Sequence, residues 1–130
     1  MRNRRFITTG EGLPKWENPI SHAVVVNNMC FISGQLSVNT DGQYVPGSIE
    51  EETHRAFNNV FAAAKAAGFD RAEIVYVDIA FSDLSEVSSV NQIYMNLFPE
   101  GKRPARTIYE AAALSFGGKV KIVATAVKDG

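Results

Sequence analysis

The sequence predicts an α+β domain in which two helices cover one face of a mixed sheet, in the order ββαβαββ. Three observations carry that expectation. Ser48 with Glu51, and Asp83 with Glu86, have the spacing of a capping box, and each opens a stretch whose apolar residues recur at helical intervals. Around them lie β-prone runs, of which Ile74–Phe81 alternates most regularly. Asn27-Asn28 separates two further runs by two residues that tolerate the positive φ of a tight hairpin turn.

In chain order, residues 5–9 form a short edge strand, followed by a Gly/Pro/Trp segment to Pro19. Ala23–Val26 and residues 29–33 make the hairpin, and Ser33-Gly34-Gln35 ends its second strand. Gly34 reads as a strand-end bulge or as a point where backbone approaches a ligand. Turns at Asn39–Gly42 and Pro46-Gly47 lead to the first helix, whose stripe is Ile49, Ala56, Phe57, Val60, Phe61 and Ala64 and which stops at Gly68. Glu50, Glu51 and Glu52 occupy its first turn, where they complement the helix dipole and cap it. In Ile74–Phe81, alternation directs Val75, Val77, Ile79 and Phe81 to one side and Tyr76, Asp78 and Ala80 to the other. Val87, Val90, Ile93, Tyr94 and Leu97 stripe the second helix, which Pro99 and Gly101 end. Residues 102–127 then read as two strands joined by a short loop, with Gly117-Gly118 as punctuation.

Residues 1–130 are expected to form a single domain, at 45% hydrophobic large enough to bury one core. Thirteen basic residues against 14 acidic ones leave a net charge of -1, which argues against a nucleic-acid partner or a membrane surface. A single cysteine, Cys30, excludes an internal disulfide; with no apolar run of signal-peptide or membrane-span length, the expected location is the cytoplasm. Cys30 lies in an apolar strand and reads as inert core. The GxSxG, Walker A, HExxH and CxxC patterns are absent, and two histidines, His22 and His54, make a dedicated metal site unexpected.

Arg106 stands out because it begins a run of small and apolar residues beside a buried surface. It reads either as a structural ion pair or snorkelling rim residue, or as a bidentate reader of a carboxylate or phosphate. Apolar side chains on both faces of the last strands (Ile108, Ala112, Val123 and Val127 as well as Val120 and Ile122) would leave one face uncovered in a monomer. Self-association into a closed homo-oligomer, with Arg106 near a subunit boundary, is therefore expected.

SHAVVVNNMCFISGQLSV, the helix ending in AAG, VNQIYMNLFP, and RPARTIYEAAAL followed by VKIVATAV together resemble the reactive-intermediate deaminase (RidA/YjgF) family, older names for which include L-PSP endoribonuclease and translation initiation inhibitor. The resemblance runs from about residue 19 to residue 127, and its more specific motifs are SGQ and PAR-[ST]. It implies a chorismate-mutase-like fold assembled as a homotrimer, with clefts between subunits that take a small carboxylate-bearing metabolite. It also implies that Arg106 binds the substrate carboxylate while Gly34 backbone and Asn91 line the cleft. The implied reaction is hydrolysis of a reactive 2-imino or 2-enamino acid to a 2-keto acid and ammonia, with no cofactor and no metal.

Several positions depart from the family pattern. Acidic residues of the last strand, one associated with the catalytic water, are here Lys121 and Val123. A cleft tyrosine and the glutamine two residues beyond it are Ile20 and His22, and the small residue two beyond the arginine is Ile108. Two substitute bases are candidates: Glu110, on the side of Arg106 but roughly 7 Å along the strand, and His22, whose neutral imidazole can orient a water. Glu110 equally suits a structural pair, and His22 a structural hydrogen bond. Ile20, Ile108 and Lys121 point to a ligand more apolar than a small imino acid, or to one with a second anionic group for Lys121. The alternative to an enzyme is a non-catalytic trimeric protein that binds small carboxylates or regulates a partner; a nuclease fits the balanced charge poorly.

Overall fold

A computed structural model describes residues 4–129. Strands β1 (Arg4–Ile7), β2 (Ala23–Val26) and β3 (Met29–Gln35) are followed by helix α1 (Ile49–Ala66), β4 (Ile74–Phe81), α2 (Val87–Leu97), β5 (Ala105–Glu110) and β6 (Val120–Val127). They build one six-stranded sheet in the order β1-β2-β3-β6-β4-β5. Every pairing is antiparallel except β4 with β5, which the α2 crossover makes parallel. This is the expected α+β fold, with the N-terminal edge strand completing the sheet.

The local signals act where expected. Asn27, at φ 53°, turns the β2–β3 hairpin. Ser48 and Glu51 form a reciprocal capping box at the start of α1, and Gly68 follows its end at φ 87°. Asp83 also caps, but differently: its Oδ1 accepts from Ser85 N and Ser85 Oγ, so a 3-10 turn at Leu84–Glu86 precedes α2. The core lies between helices and sheet. Phe57 is its centre, with ring centroids 5.7 Å from Phe61 and 6.0 Å from both Tyr94 and Phe98.

Three expectations are corrected. In β4 a register shift between Ile74 and Tyr76 turns Val75 outward, 46% exposed, and gives its core place to Ile74. The last two strands are not neighbours: β6 inserts between β3 and β4, and β5 runs parallel to β4. Ile108 therefore shares the helix-covered face with Ile79 and Ile122 instead of the open one, and Ala112 lies beyond the end of β5. Finally, Glu52 does not act only as a first-turn cap complementing the helix dipole. It is fully buried and its carboxylate accepts from Tyr44 Oη (2.6 Å), Gly47 N (3.3 Å) and Lys119 N (3.1 Å), with Lys119 Nζ 3.6 Å away. Three donors and a nearby ammonium on one carboxylate satisfy the charge that burial would otherwise penalise. Burial, and then that contact, push the Tyr44 phenol up to about 12.

The open sheet face carries Val24, Val26, Phe31, Asp78, Tyr109, Lys121, Val123, Thr125 and Val127, with Phe31 46% and Tyr109 42% exposed. No helix among the described residues is long and apolar enough to cross a membrane.

Candidate functional site

Arg106 lies on the helix-covered face at the sheet edge, because it pairs with Val77, a core residue. There it is half-buried. Its Nη1 donates to Asn91 Oδ1 at 2.8 Å, and its guanidinium carbon sits 4.8 Å from the centroid of the Tyr94 ring. Asn91 and Tyr94 are three apart on α2 and so share one helix face. No carboxylate lies within ion-pair reach of Arg106 among the described residues, so it is not the structural ion pair that its sequence position also allowed. Together with Ser88, Gln92, Met95, Arg103 and Pro104, these residues line a cavity of about 470 Å³. A fixed, unneutralised guanidinium facing open space is a site for a carboxylate or another planar oxyanion.

A second group of expected residues comes together elsewhere. Ile20, Gly34, Lys121 and Val123 line a cavity of about 260 Å³ with Trp16, Asn18, Leu36 and Phe116. Gly34 sits in the β3 bulge, where register shifts between Ile32 and Gln35, and the Lys121 stem lies directly over it: a Cβ there would be 2.9 Å from Lys121 Cδ. This cavity opens on the uncovered sheet face, since Val123 pairs with Asp78 while Arg106 pairs with Val77. The sheet thus separates the two halves of the expected site within one protomer.

The candidate bases are occupied. His22 is 1% exposed; its Nε2 lies 2.8 Å from the Pro14 carbonyl and its Nδ1 3.2 Å from Gln35 Nε2. Those partners select the tautomer in which Nε2–H donates to Pro14 and Nδ1 accepts from Gln35. The ring stacks on Trp16 at 3.9 Å. The geometry gives His22 a packing role. Glu110 accepts from Leu84 N at 2.9 Å, tying the end of β5 to the turn before α2. Ile108 packs against the core and reaches neither cavity. His54 is exposed on α1, and Cys30 is buried, its thiol pushed up to about 11 chiefly by burial. Among the described residues no three His, Cys, Asp or Glu gather as metal ligands would.

Burial lowers the His22 pKa from its usual value near 6.5, the Pro14 hydrogen bond opposing it. Below about pH 6.5 the unfolded chain binds a proton that the folded one refuses, so His22 costs stability as pH falls through that value and nothing above it. Melting temperature is expected to drop between pH 7 and pH 5, and His22→Gln, which keeps an amide donor for Pro14, should flatten that part of the curve. Identical slopes for both proteins in thermal melts would contradict the assignment.

Tyr94 and Arg103 escaped sequence reasoning. Tyr94 occupies a core stripe position, and only its i−3 relation to Asn91 sets it apart; Arg103 precedes the strand in a segment with no periodicity.

Fold and site define a chorismate-mutase-like α+β protein with a cation-lined pocket at the junction of its second helix and fifth strand. A profile of the family described as Endoribonuclease L-PSP matches residues 12–128, and the chain belongs to that family, the reactive-intermediate deaminase (RidA/YjgF) family. A Capra hircus protein named 2-iminobutanoate/2-iminopropanoate deaminase is 40% identical over 126 residues, covering 96% of this chain and 90% of its own. The Homo sapiens protein of that name is 36% identical over 126 residues, again 96% and 90%. A solved Thermotoga maritima structure superposes with a TM-score of 0.90 at 38% identity, covering 97% of this chain and 98% of that one.

Proposed function

We propose that this protein is an imine/enamine deaminase, hydrolysing reactive 2-imino or 2-enamino acids to 2-keto acids and ammonia, with Arg106 as the carboxylate anchor. The observation that carries the reading is the Arg106 fork, fixed by Asn91 and facing a cavity without an acidic partner. The names of the goat and human relatives support the reaction class. Water adds to the C=N carbon, its proton passes to the imine nitrogen, and the resulting carbinolamine expels ammonia to leave the C=O of the keto acid. An enamine first takes a proton at carbon to become the imine. The imine carbon is already electrophilic, so holding the carboxylate and one water in place supplies much of the acceleration. No cofactor enters this scheme.

The two cavities on opposite sheet faces, and an open face bearing Phe31, Val123 and Val127, support assembly as a homotrimer whose clefts join Arg106 of one subunit to the Gly34–Lys121 surface of the next. Lys121 and Val123 favour a second reading, a trimeric small-carboxylate receptor without turnover, because the last strand offers no acid to guide water. Ammonia release from imino acids generated in place by an amino-acid oxidase separates them. The deaminase reading expects release well above the uncatalysed rate. A rate equal to that without protein, together with measurable keto-acid binding, would leave the receptor.

A further inference from the structure

The Arg106 cavity holds more positive charge than one carboxylate uses. Arg103 lines the same space, separated from Arg106 by Pro104 and Ala105. Its Nε donates to the Phe98 carbonyl at 3.2 Å, which steadies the fork while its terminal nitrogens have no carboxylate in reach among the described residues. The remaining polar lining, from Ser88, Asn91 and Gln92, is neutral.

Against the Arg106 guanidinium lies a group that is itself incomplete. Tyr94 is only 5% exposed, lines the cavity, and its hydroxyl has no hydrogen-bond partner among the described residues. Burial raises its pKa while the charges of both Arg106 and Arg103 act to lower it, so the hydroxyl stands in the field of both guanidiniums. Two neighbouring cations with no counter-charge repel each other and are settled by an anion that spans them.

Building on the reading of Arg106 as a carboxylate anchor, we infer that the substrate is a dianion: a 2-imino acid with a second carboxylate. Arg106 and Asn91 hold the carboxylate next to the reacting carbon, and Arg103 meets the distal one. Arg103 is then the residue that sets specificity for a dicarboxylate over an apolar monocarboxylate. Lys121, the other cation considered for a second anionic group, lines the cavity on the opposite sheet face of its own protomer and would meet this cleft only across the subunit boundary, so Lys121→Ala distinguishes it from Arg103.

The test is calorimetric titration with two stable keto acids, 2-oxobutanoate and 2-oxoglutarate, against the wild type, Arg103→Gln, Arg106→Ala and Lys121→Ala, each checked for folding by its melting curve. The wild type is expected to bind 2-oxoglutarate at least tenfold more tightly than 2-oxobutanoate, and Arg103→Gln to bring that ratio close to one. Equal affinities in the wild type, or a preference that survives Arg103→Gln or disappears in Lys121→Ala instead, would overturn the inference and leave the anchor standing. If neither acid binds, or Arg106→Ala binds both as the wild type does, the anchor fails and the inference with it.

Discussion

Arg106→Ala is expected to reduce kcat/KM for imino-acid hydrolysis by roughly 10²- to 10⁴-fold. The loss has two sources. A bidentate guanidinium–carboxylate contact comprises two charge-assisted hydrogen bonds, together about 3–5 kcal/mol, and each 1.4 kcal/mol is about a factor of ten. The substrate carboxylate would also remain in the cavity with its former partner gone, which is how truncating one side of a buried charge pair does its damage. The fold should survive, because among the described residues the Arg106 side chain contributes only the Asn91 bond and the contact with Tyr94. Arg106→Lys should recover part of the binding and little of the rate, since a lysine restores the charge without the planar fork that orients the carboxylate. The measurement is steady-state ammonia release beside keto-acid binding. Near wild-type turnover in Arg106→Ala would remove the anchor from the scheme.

Phe57→Ala is the second large effect, and it falls on stability. Phe57 is 1% exposed and touches Phe61, Tyr94 and Phe98, so truncation empties the middle of the core. Such deletions cost about 3–5 kcal/mol, on the order of 15 °C in melting temperature for a chain of this size. The expected damage reaches the site as well. Tyr94 packs edge-on with Phe57 and also carries the Arg106 guanidinium, so a loosened Tyr94 should weaken keto-acid binding even at temperatures where the variant is folded. Urea titration and calorimetry on the same samples would test both parts; a stability loss under 1 kcal/mol would contradict the placing of Phe57 at the centre.

What the sequence disclosed follows from how local the signal is. The Ser48 capping box, the Asn27-Asn28 turn and the α1 stripe depend on residues within a few positions of one another, and all appear as expected. Strand neighbours do not. The order β3-β6-β4-β5 depends on contacts between residues nearly a hundred positions apart, such as Cys30 with Ala126, so Ile108 could be placed on the wrong face without violating any local rule. Val75 shows the same limit on a smaller scale, because a bulge alters the period that alternation assumes. Glu52 read only as a first-turn cap because its burial depends on Lys119, 67 positions away, as well as on Tyr44. At the site, Arg106 and Asn91 were legible through their motifs. Tyr94 was not, because an aromatic on an apolar stripe looks like core until its hydroxyl is found without a partner.

The position of β6 has a bearing on how the molecule is made. The strand nearest the C-terminus is also the one that joins the two halves of the sheet, with β1-β2-β3 on one side and β4-β5 on the other. A growing polypeptide that has emerged only as far as β5 holds two unconnected sheet fragments, each with an unpaired edge where β6 belongs and with Ile32 or Ile79 lacking its neighbour across the gap. Domains generally fold as units during synthesis, and here the unit cannot close until the last strand has left the ribosome. Until then the nascent chain carries the unpaired edges of β3 and β4, and a chain terminated before β6 would hold two half-sheets instead of a slightly shortened protein.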